Sequence, residues 1–207
     1  FDLKHKQSSA SLKIFFSIFL LFNKFLIKSI FIKNKAIENH LRKIFIENEV
    51  TQKHIKAWKD FLKSRAEYII VFEDDVVCKK NSDLKLNELI SNLLKNNQKL
   101  EYIDLAGGYE LKKVIPKEKI ISNTKEFIIV KGIYTNTACA YLVNKNLIQK
   151  WIDQINKENY NKKYPIDFLI NYLGMNIKSI SFSRHFKETI FIHGSFKGNV
   201  NSWQNVF

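Results

Sequence analysis

The residues best suited to chemistry in this chain are three consecutive acids, Glu73, Asp74 and Asp75, in the stretch YIIVFEDDVV at 68–77. A strand-like run of apolar and aromatic residues leads directly into them. Beyond a strand, alternate residues tend to point the same way, so Glu73 and Asp75 can face one ligand. Two such carboxylates suit a hard divalent ion, Mg²⁺ or Mn²⁺, that takes substrate phosphates as further ligands. The alternative is an acidic turn that only caps the segment after it.

Further candidate residues lie where strands or helices are predicted to end. In open α/β sheets, ligands bind beyond the carboxyl ends of the strands, so this placement favours one shared site. A lone histidine is more often structural than functional, but one in a glycine-rich loop is a candidate ligand. Glycines permit close approach of the backbone to a ligand. The candidates are Asp104 within one predicted strand, Gly107 and Gly108 in the glycine turn that ends it, Asp167 in a predicted first helical turn, and His193 in the loop FIHGSFKG.

The elements that must position these residues alternate between helix and strand patterns. Apolar residues recur at helical spacing in some segments, and short apolar runs bounded by turn residues indicate strands elsewhere. This alternation predicts an α/β fold with a largely parallel sheet. The predicted helices are 51–65, 84–95 and 145–156 and one near Pro165, and the predicted strands are 68–72, 101–108, two in 118–131 and 176–182. Residues 135–143 are predicted to form a strand or a buried turn.

Residue types also predict the ends of two helices. Thr51 has the side chain of an N-cap and would begin the first helix. Pro165 suits the first turn of another helix, and Gly174 suits the C′ position beyond its end. These assignments make 51–207 the main domain and leave 1–50 as a separate N-terminal helical segment.

Composition limits the fold class and the partners. The 207 residues are 45% hydrophobic, which predicts a globular core and excludes global disorder. The net charge of +14 favours polyanions, although a solvated lysine-rich surface would also account for it. No motif of a nucleic-acid-binding domain is found, so nucleic acid is not a predicted partner. Cys78 and Cys139 lie in apolar runs, which predicts two buried, reduced thiols in a cytosolic protein.

The segment 12–32 is rich in phenylalanine, isoleucine and lysine. Its uninterrupted apolar stretch is about nine residues, whereas a membrane-spanning helix needs roughly 20. Two alternatives stay open for it. One is a basic amphipathic helix that lies on a membrane surface, and the other is a helix buried against protein.

Six motifs that occur in order over residues 50–203 together resemble glycosyltransferase family 25, the lipopolysaccharide biosynthesis glycosyltransferases. They are HIKAWKDFL (54–62), YIIVFEDDV (68–76), YIDLAGG (102–108), TACAYLVNK (137–145), YPIDFLINYLG (164–174) and FIHGSFKGNVNSW (191–203). The resemblance implies a GT-A, Rossmann-like fold, with a mostly parallel sheet flanked by helices. It also implies an inverting transfer of a hexose, usually galactose, from a UDP-sugar to a lipopolysaccharide- or lipooligosaccharide-type glycan.

The resemblance assigns roles to individual residues. Glu73, Asp75 and His193 would hold Mn²⁺ or Mg²⁺ on the donor diphosphate, where the ion stabilises the charge that develops on the UDP leaving group. An inverting transfer needs a base that takes the proton of the acceptor hydroxyl. Asp167 is the predicted base, and Asp104 is the alternative. The other predicted donor-site residues are Asp74, Gly107, Gly108, Arg184, Ser195 and Lys197.

Part of the chain departs from the family pattern. Family members usually open with a short strand and an Asn-Leu segment followed by an arginine, which helps form the uridine pocket. Residues 1–50 show no such pattern. His54 aligns with a Ser-His pair of the family, but Lys53 replaces the serine, so His54 is interpreted as structural or adjacent to the donor.

Two hypotheses of different kinds follow. The first is a metal-dependent hexosyltransferase in the cytoplasm, or peripheral on the cytoplasmic face of the inner membrane, with a UDP-sugar and a lipid-linked glycan as partners. The second is a truncated, catalytically incomplete protein of the same fold that acts only in binding. The absent opening strand favours the second hypothesis, and metal-dependent UDP binding distinguishes the two.

Overall fold

The computed structural model describes residues 35–96, 101–107, 115–158, 164–176 and 182–194. Its helices are α1 (Lys35–Leu62), α2 (Ser82–Asn96), α3 (Lys145–Lys157) and α4 (Ile166–Asn176). Its strands are β1 (Tyr68–Phe72), β2 (Val76–Cys78), β3 (Tyr102–Asp104), β4 (Ile120–Asn123), β5 (Phe127–Lys131), β6 (Ala140–Asn144), β7 (Phe182–Phe186) and β8 (Phe191–His193), with a 3₁₀ turn at Lys117–Lys119.

The chain divides into two compact units, Phe1–Phe45 and Ile46–Phe207, and the description that follows concerns the second. Thr51 is not an N-cap, because α1 is already helical before it. The Thr51 hydroxyl is shared between the carbonyl oxygens of Glu47, at 2.9 Å, and Tyr164, at 2.7 Å. The prediction was wrong because the hydroxyl that lets a threonine cap a helix start can also bond the carbonyl four residues before it inside a helix.

The described strands form a six-stranded sheet in the order β1-β6-β3-β7-β5-β4, and β2 pairs with β8 separately. The expected largely parallel sheet is wrong, because in the six-stranded sheet only β3 and β7 pair in parallel. The connection through α2 does return β3 in the direction of β1, but β6 lies between them and is antiparallel to both. A strand buried on both faces has the same apolar pattern in either direction, so sequence could not reveal this insertion.

Helices cover both faces of the sheet. Alternate residues of β3 and β6 pack with α1, α3 and α4 on one face and with α2 on the other. On the first face the fully buried rings of Trp58 and Trp151 lie 5.0 Å apart. The apolar stripe predicted for α3 is confirmed, and its buried residues are Leu147, Ile148, Trp151, Ile152 and Ile155.

Two other residues differ from their predicted environments. Gly174 lies inside α4 rather than beyond its end, and a Cβ there would come within 2.6 Å of the Ile133 Cβ. Close packing of α4 against Ile133 therefore explains why a glycine occupies this position. Cys78 is exposed, contrary to prediction, because it ends the short strand β2, while Cys139 is buried as expected. Both thiols are free.

Replacing Gly174 by alanine is expected to destabilise the protein by about 1–2 kcal/mol. Overpacking a core costs about 1–3 kcal/mol, and we expect the upper part of this range, about 2–3 kcal/mol, because the nearest Ile133 atom is a Cβ that cannot rotate away. The gain of about 1 kcal/mol in helix propensity offsets part of this cost. Urea unfolding followed by circular dichroism measures the change. Met175→Ala, at an exposed position of the same helix, is the control and should change stability by less than about 0.5 kcal/mol. A Gly174→Ala protein as stable as the wild type would contradict the packing argument.

Among the described residues, no helix has both the length and the apolar character needed to cross a membrane. The segment 12–32 lies outside the described residues, so its two alternatives stay predictions.

Candidate functional site

Three strands bring their carboxyl ends to one edge of the sheet. β1, β3 and β7 share one direction, and the antiparallel strand β6 begins at the edge where they end. Tyr141 of β6, Asp104 of β3 and His185 of β7 are register partners in neighbouring strands. Glu73 directly follows the end of β1. Glu73 and Asp104 therefore lie near the same edge of the sheet.

The acidic triplet is divided between two sets of neighbours. Residues 73–75 leave the strand in a turn, and the Glu73 N–H donates to the Cys139 carbonyl oxygen at 2.8 Å. The Glu73 Oε1 atom lies 3.2 Å from Nε2 of His54, on α1. Asp75 Oδ2 instead lies 3.4 Å from Nδ1 of His193. Because a turn follows β1, strand alternation does not extend through the triplet.

Asp75 and His193 belong to a group that could hold a metal ion. The β2–β8 pairing places Val76 opposite His193, and the Gly194 N–H donates to the Asp75 carbonyl oxygen at 2.8 Å. Ligand atoms of Asp75, His193 and Cys139 lie within 4.8 Å of one another. Burial, and then neighbouring negative charge, above all that of Asp75, raise the pKa of the Cys139 thiol, so it keeps its proton.

The donor atoms of this group fit a divalent ion. A carboxylate and an imidazole are common ligands for such an ion, and two protein ligands leave positions for a substrate. Glu73 is not part of this group, and its predicted role as a third ligand stays a prediction.

The Asp104 side chain is hydrogen-bonded to the backbone of the turn that follows β3. Its side chain is 1% exposed, and Oδ1 accepts hydrogen bonds from the N–H groups of Ala106, at 3.2 Å, and Gly107, at 2.6 Å. Its Oδ2 lies 3.6 Å from Nδ1 of His185. Gly107 has a φ of +63°, and a Cβ there would lie 2.6 Å from the Thr189 side chain. Turn geometry and close packing therefore explain Gly107, and its N–H is already used by Asp104.

Asp167 lies in the first turn of α4, as predicted. Its Oδ1 accepts a hydrogen bond from the Phe168 N–H at 2.9 Å, and its side chain is partly exposed. The pKa of Tyr102 is raised well above its usual value, mainly by complete burial and further by negative charges that include Asp104 and Asp167. The charge of Asp167 therefore acts on the side chain of Tyr102, the first residue of β3.

Arg184 lies on β7, the fourth strand counted from β1, where its guanidinium is 4.3 Å from the centre of the Phe127 ring. Burial lowers its pKa from the usual value. Its predicted contact with a diphosphate stays a prediction. Asp74 is exposed in the turn. Gly108, Ser195 and Lys197 lie outside the described residues.

Several residues near this edge were not selected as site residues from sequence. His54, Tyr141 and His185 are each buried beside a candidate acid or its partner. His54 did carry a signal, because it aligns with a Ser-His pair of the family and was interpreted as structural or adjacent to the donor. Tyr141, His185 and Cys139 lie in strands or apolar runs where the same residue types usually form core, so sequence gave no sign of them.

A sequence model of glycosyltransferase family 25 (LPS biosynthesis protein) matches residues 50–170. The match includes the acidic triplet, Asp104 and Asp167 and ends before His193. It confirms the resemblance drawn from the motifs. A search of curated proteins gave no match.

Proposed function

The chain belongs to glycosyltransferase family 25 (LPS biosynthesis protein), and from this membership we propose that it is an inverting, metal-dependent hexosyltransferase. The proposed donor is a UDP-sugar, with galactose as the transferred hexose. The proposed acceptor is a lipopolysaccharide- or lipooligosaccharide-type glycan. The observation that carries the proposal is the family match over residues 50–170, and the approach of Asp75 and His193, 3.4 Å apart, supports the proposed metal site.

Asp75 and His193 are the residues proposed to hold the ion. A bound divalent ion stabilises negative charge on a diphosphate leaving group. Mg²⁺ is usually bound through oxygen ligands, so the imidazole of His193 favours Mn²⁺ here. The β2–β8 pairing holds the backbone of His193 and of Val76, the residue after Asp75. The Gly194 N–H also donates to the Asp75 carbonyl oxygen, so the backbones of the two proposed ligands are held together before a ligand binds.

Asp167 is proposed as the base that takes the proton from the acceptor hydroxyl. Asp104 is less suited, because it is almost fully buried and its Oδ1 already accepts two backbone N–H groups. Asp167 is partly exposed, and the N-terminus of α4 favours its ionised form. It can therefore meet an acceptor that approaches from solvent.

The setting of the reaction is proposed on broader grounds. We interpret the helix-covered mixed sheet as a divergent GT-A fold, because the acids follow a strand end as the family resemblance implies. The acceptor is proposed to be lipid-linked, and the net charge of +14 suits an enzyme peripheral to the anionic cytoplasmic face of the inner membrane.

Titration calorimetry with UDP, in the presence of Mn²⁺ or of EDTA, tests the donor site. We expect binding with Mn²⁺ and much weaker binding with EDTA. A screen of UDP-sugars with lipooligosaccharide acceptors then tests the transfer, and NMR of the product should show the opposite anomeric configuration to the donor. A chain that binds no UDP under either condition and transfers no sugar would contradict the proposal and favour a protein that acts only in binding.

A further inference from the structure

We propose that Trp58, Tyr141 and His54 form a hydrogen-bonded chain that positions the Glu73 carboxylate, with His54 fixed as the tautomer that carries its proton on Nε2. His54 is then a positioning residue that acts through Glu73. The effect on sugar transfer rests on the proposed function, whereas the tautomer of His54 does not.

The chain connects the core to the first acid of the triplet. Trp58 Nε1 donates to the Tyr141 hydroxyl at 2.9 Å, and that hydroxyl lies 2.8 Å from His54 Nδ1. His54 Nε2 lies 3.2 Å from Glu73 Oε1. Trp58 and Tyr141 are completely buried, and His54 is 5% exposed. The rings of His54 and Tyr141 are nearly parallel, with an interplanar angle of 14° and centroids 5.8 Å apart, and the partners at both ring nitrogens restrict rotation of the imidazole.

Donor and acceptor counting selects one arrangement of protons. An indole N–H can only donate, so Trp58 occupies one lone pair of the Tyr141 oxygen. The phenol has one hydrogen, and among the described residues its acceptor at hydrogen-bond distance is Nδ1 of His54. Nδ1 is then an acceptor, and the ring proton lies on Nε2, directed at the Glu73 carboxylate.

The other tautomer would be poorly satisfied. With the proton on Nδ1, two N–H donors would converge on the Tyr141 oxygen, and the phenol hydrogen would lose its acceptor. The lone pair on Nε2 would at the same time face the Glu73 carboxylate. A buried polar group left without a partner costs about 1–3 kcal/mol, so the Nε2–H tautomer should dominate strongly.

The neighbouring charges support this arrangement. Burial raises the pKa of Tyr141 far above its usual value, and the negative charge of Glu73 raises it further, so the phenol remains a donor. Glu73 uses Oε1 for His54, and its side chain is 21% exposed, which leaves Oε2 available to a ligand. The triplet then has two parts, with Glu73 oriented from α1 and Asp75 beside His193.

Long-range ¹H–¹⁵N NMR spectra of the full chain report the tautomer of each histidine directly. We expect His54, assigned by its absence in His54→Gln, to show the Nε2–H pattern. Tyr141→Phe should weaken this preference, because the phenol donor to Nδ1 is lost while the Glu73 carboxylate still favours a proton on Nε2. A wild-type His54 with its proton on Nδ1, or with both nitrogens protonated at neutral pH, would overturn the proposal.

Two matched variants test the positioning role. The amide nitrogen of His54→Gln can replace Nε2 as the donor to Glu73, whereas the shorter side chain of His54→Asn reaches only the position of Nδ1. Since loss of an orienting partner commonly costs 10- to 100-fold, we expect kcat/KM to fall by about that factor in His54→Asn and to stay within about threefold of wild type in His54→Gln.

Thermal unfolding measures how much each variant loses from packing. Both variants remove the imidazole ring and should lose similar stability, so a difference in kcat/KM between them reports the positioning of Glu73. Equal losses of kcat/KM in the two variants would show that His54 acts only in packing, and the proposal would be wrong. A wild type that transfers no sugar would instead refute the proposed function, and the NMR result would still decide the tautomer.

Discussion

Replacing Asp75 by asparagine is expected to lower kcat/KM for sugar transfer by at least about 100-fold. Metal-ion stabilisation of a developing charge contributes several kcal/mol, and each factor of ten in rate corresponds to about 1.36 kcal/mol. Asparagine keeps the size of the side chain but removes the negative charge 3.4 Å from His193 Nδ1. Steady-state kinetics with a UDP-sugar at saturating Mn²⁺ measure the loss. UDP binding in calorimetry should lose its dependence on Mn²⁺ in the same variant.

The control for this substitution is Asp83→Asn. Asp83 is exposed in the first turn of α2 and is not one of the residues proposed for the site, so its replacement should change kcat/KM by less than about threefold. The stability of this variant should fall by no more than about 1 kcal/mol, the usual contribution of an acid at a helix N-terminus. An Asp75→Asn protein that kept full activity and full Mn²⁺ dependence would show that Asp75 does not bind the ion. Equal losses in both variants would show a general effect of charge.

Local patterns were enough to predict several elements of the fold. The buried face of α3 follows from its apolar spacing, because one helix needs only its own sequence to define a face. The position of β1, with acids directly after it, could also be predicted locally, because a short apolar run ends there in charged residues. The position of Asp167 in a first helical turn required only the preceding proline.

Features that depend on distant parts of the chain could not be predicted from one sequence. The place of β6 between β1 and β3 is decided by pairing between strands about 70 and 40 residues apart along the chain, and no local pattern encodes it. The contact of Glu73 with His54 depends on how α1 crosses the sheet, and that crossing depends on side chains such as Trp58. Gly174 was misassigned because the close approach of Ile133 appears only in three dimensions.

Replacing Trp151 by alanine is expected to destabilise the protein by about 3–5 kcal/mol, the usual cost of truncating a buried aromatic side chain. Trp151 is completely buried, and its ring lies 5.0 Å from that of Trp58 and 6.3 Å from that of Tyr102. It therefore joins α3 to both α1 and the sheet. Since small domains are stable by only about 5–15 kcal/mol, denaturant unfolding should show a large shift of the midpoint. A loss below about 1 kcal/mol would contradict this account of the core.

Phenylalanine substitutions at the two buried tryptophans separate packing from hydrogen bonding. The indole nitrogen of Trp151 has no hydrogen-bond partner within the described part of the chain, whereas that of Trp58 donates to the Tyr141 hydroxyl. Trp58→Phe should therefore cost about 1 kcal/mol more stability than Trp151→Phe, because only Trp58→Phe breaks a buried hydrogen bond. Only Trp58→Phe should also weaken the fixed tautomer of His54, since the phenol loses the donor that orients it. Equal stabilities and unchanged histidine spectra in the two variants would show that the Trp58 hydrogen bond contributes neither to the core nor to the orientation of Glu73.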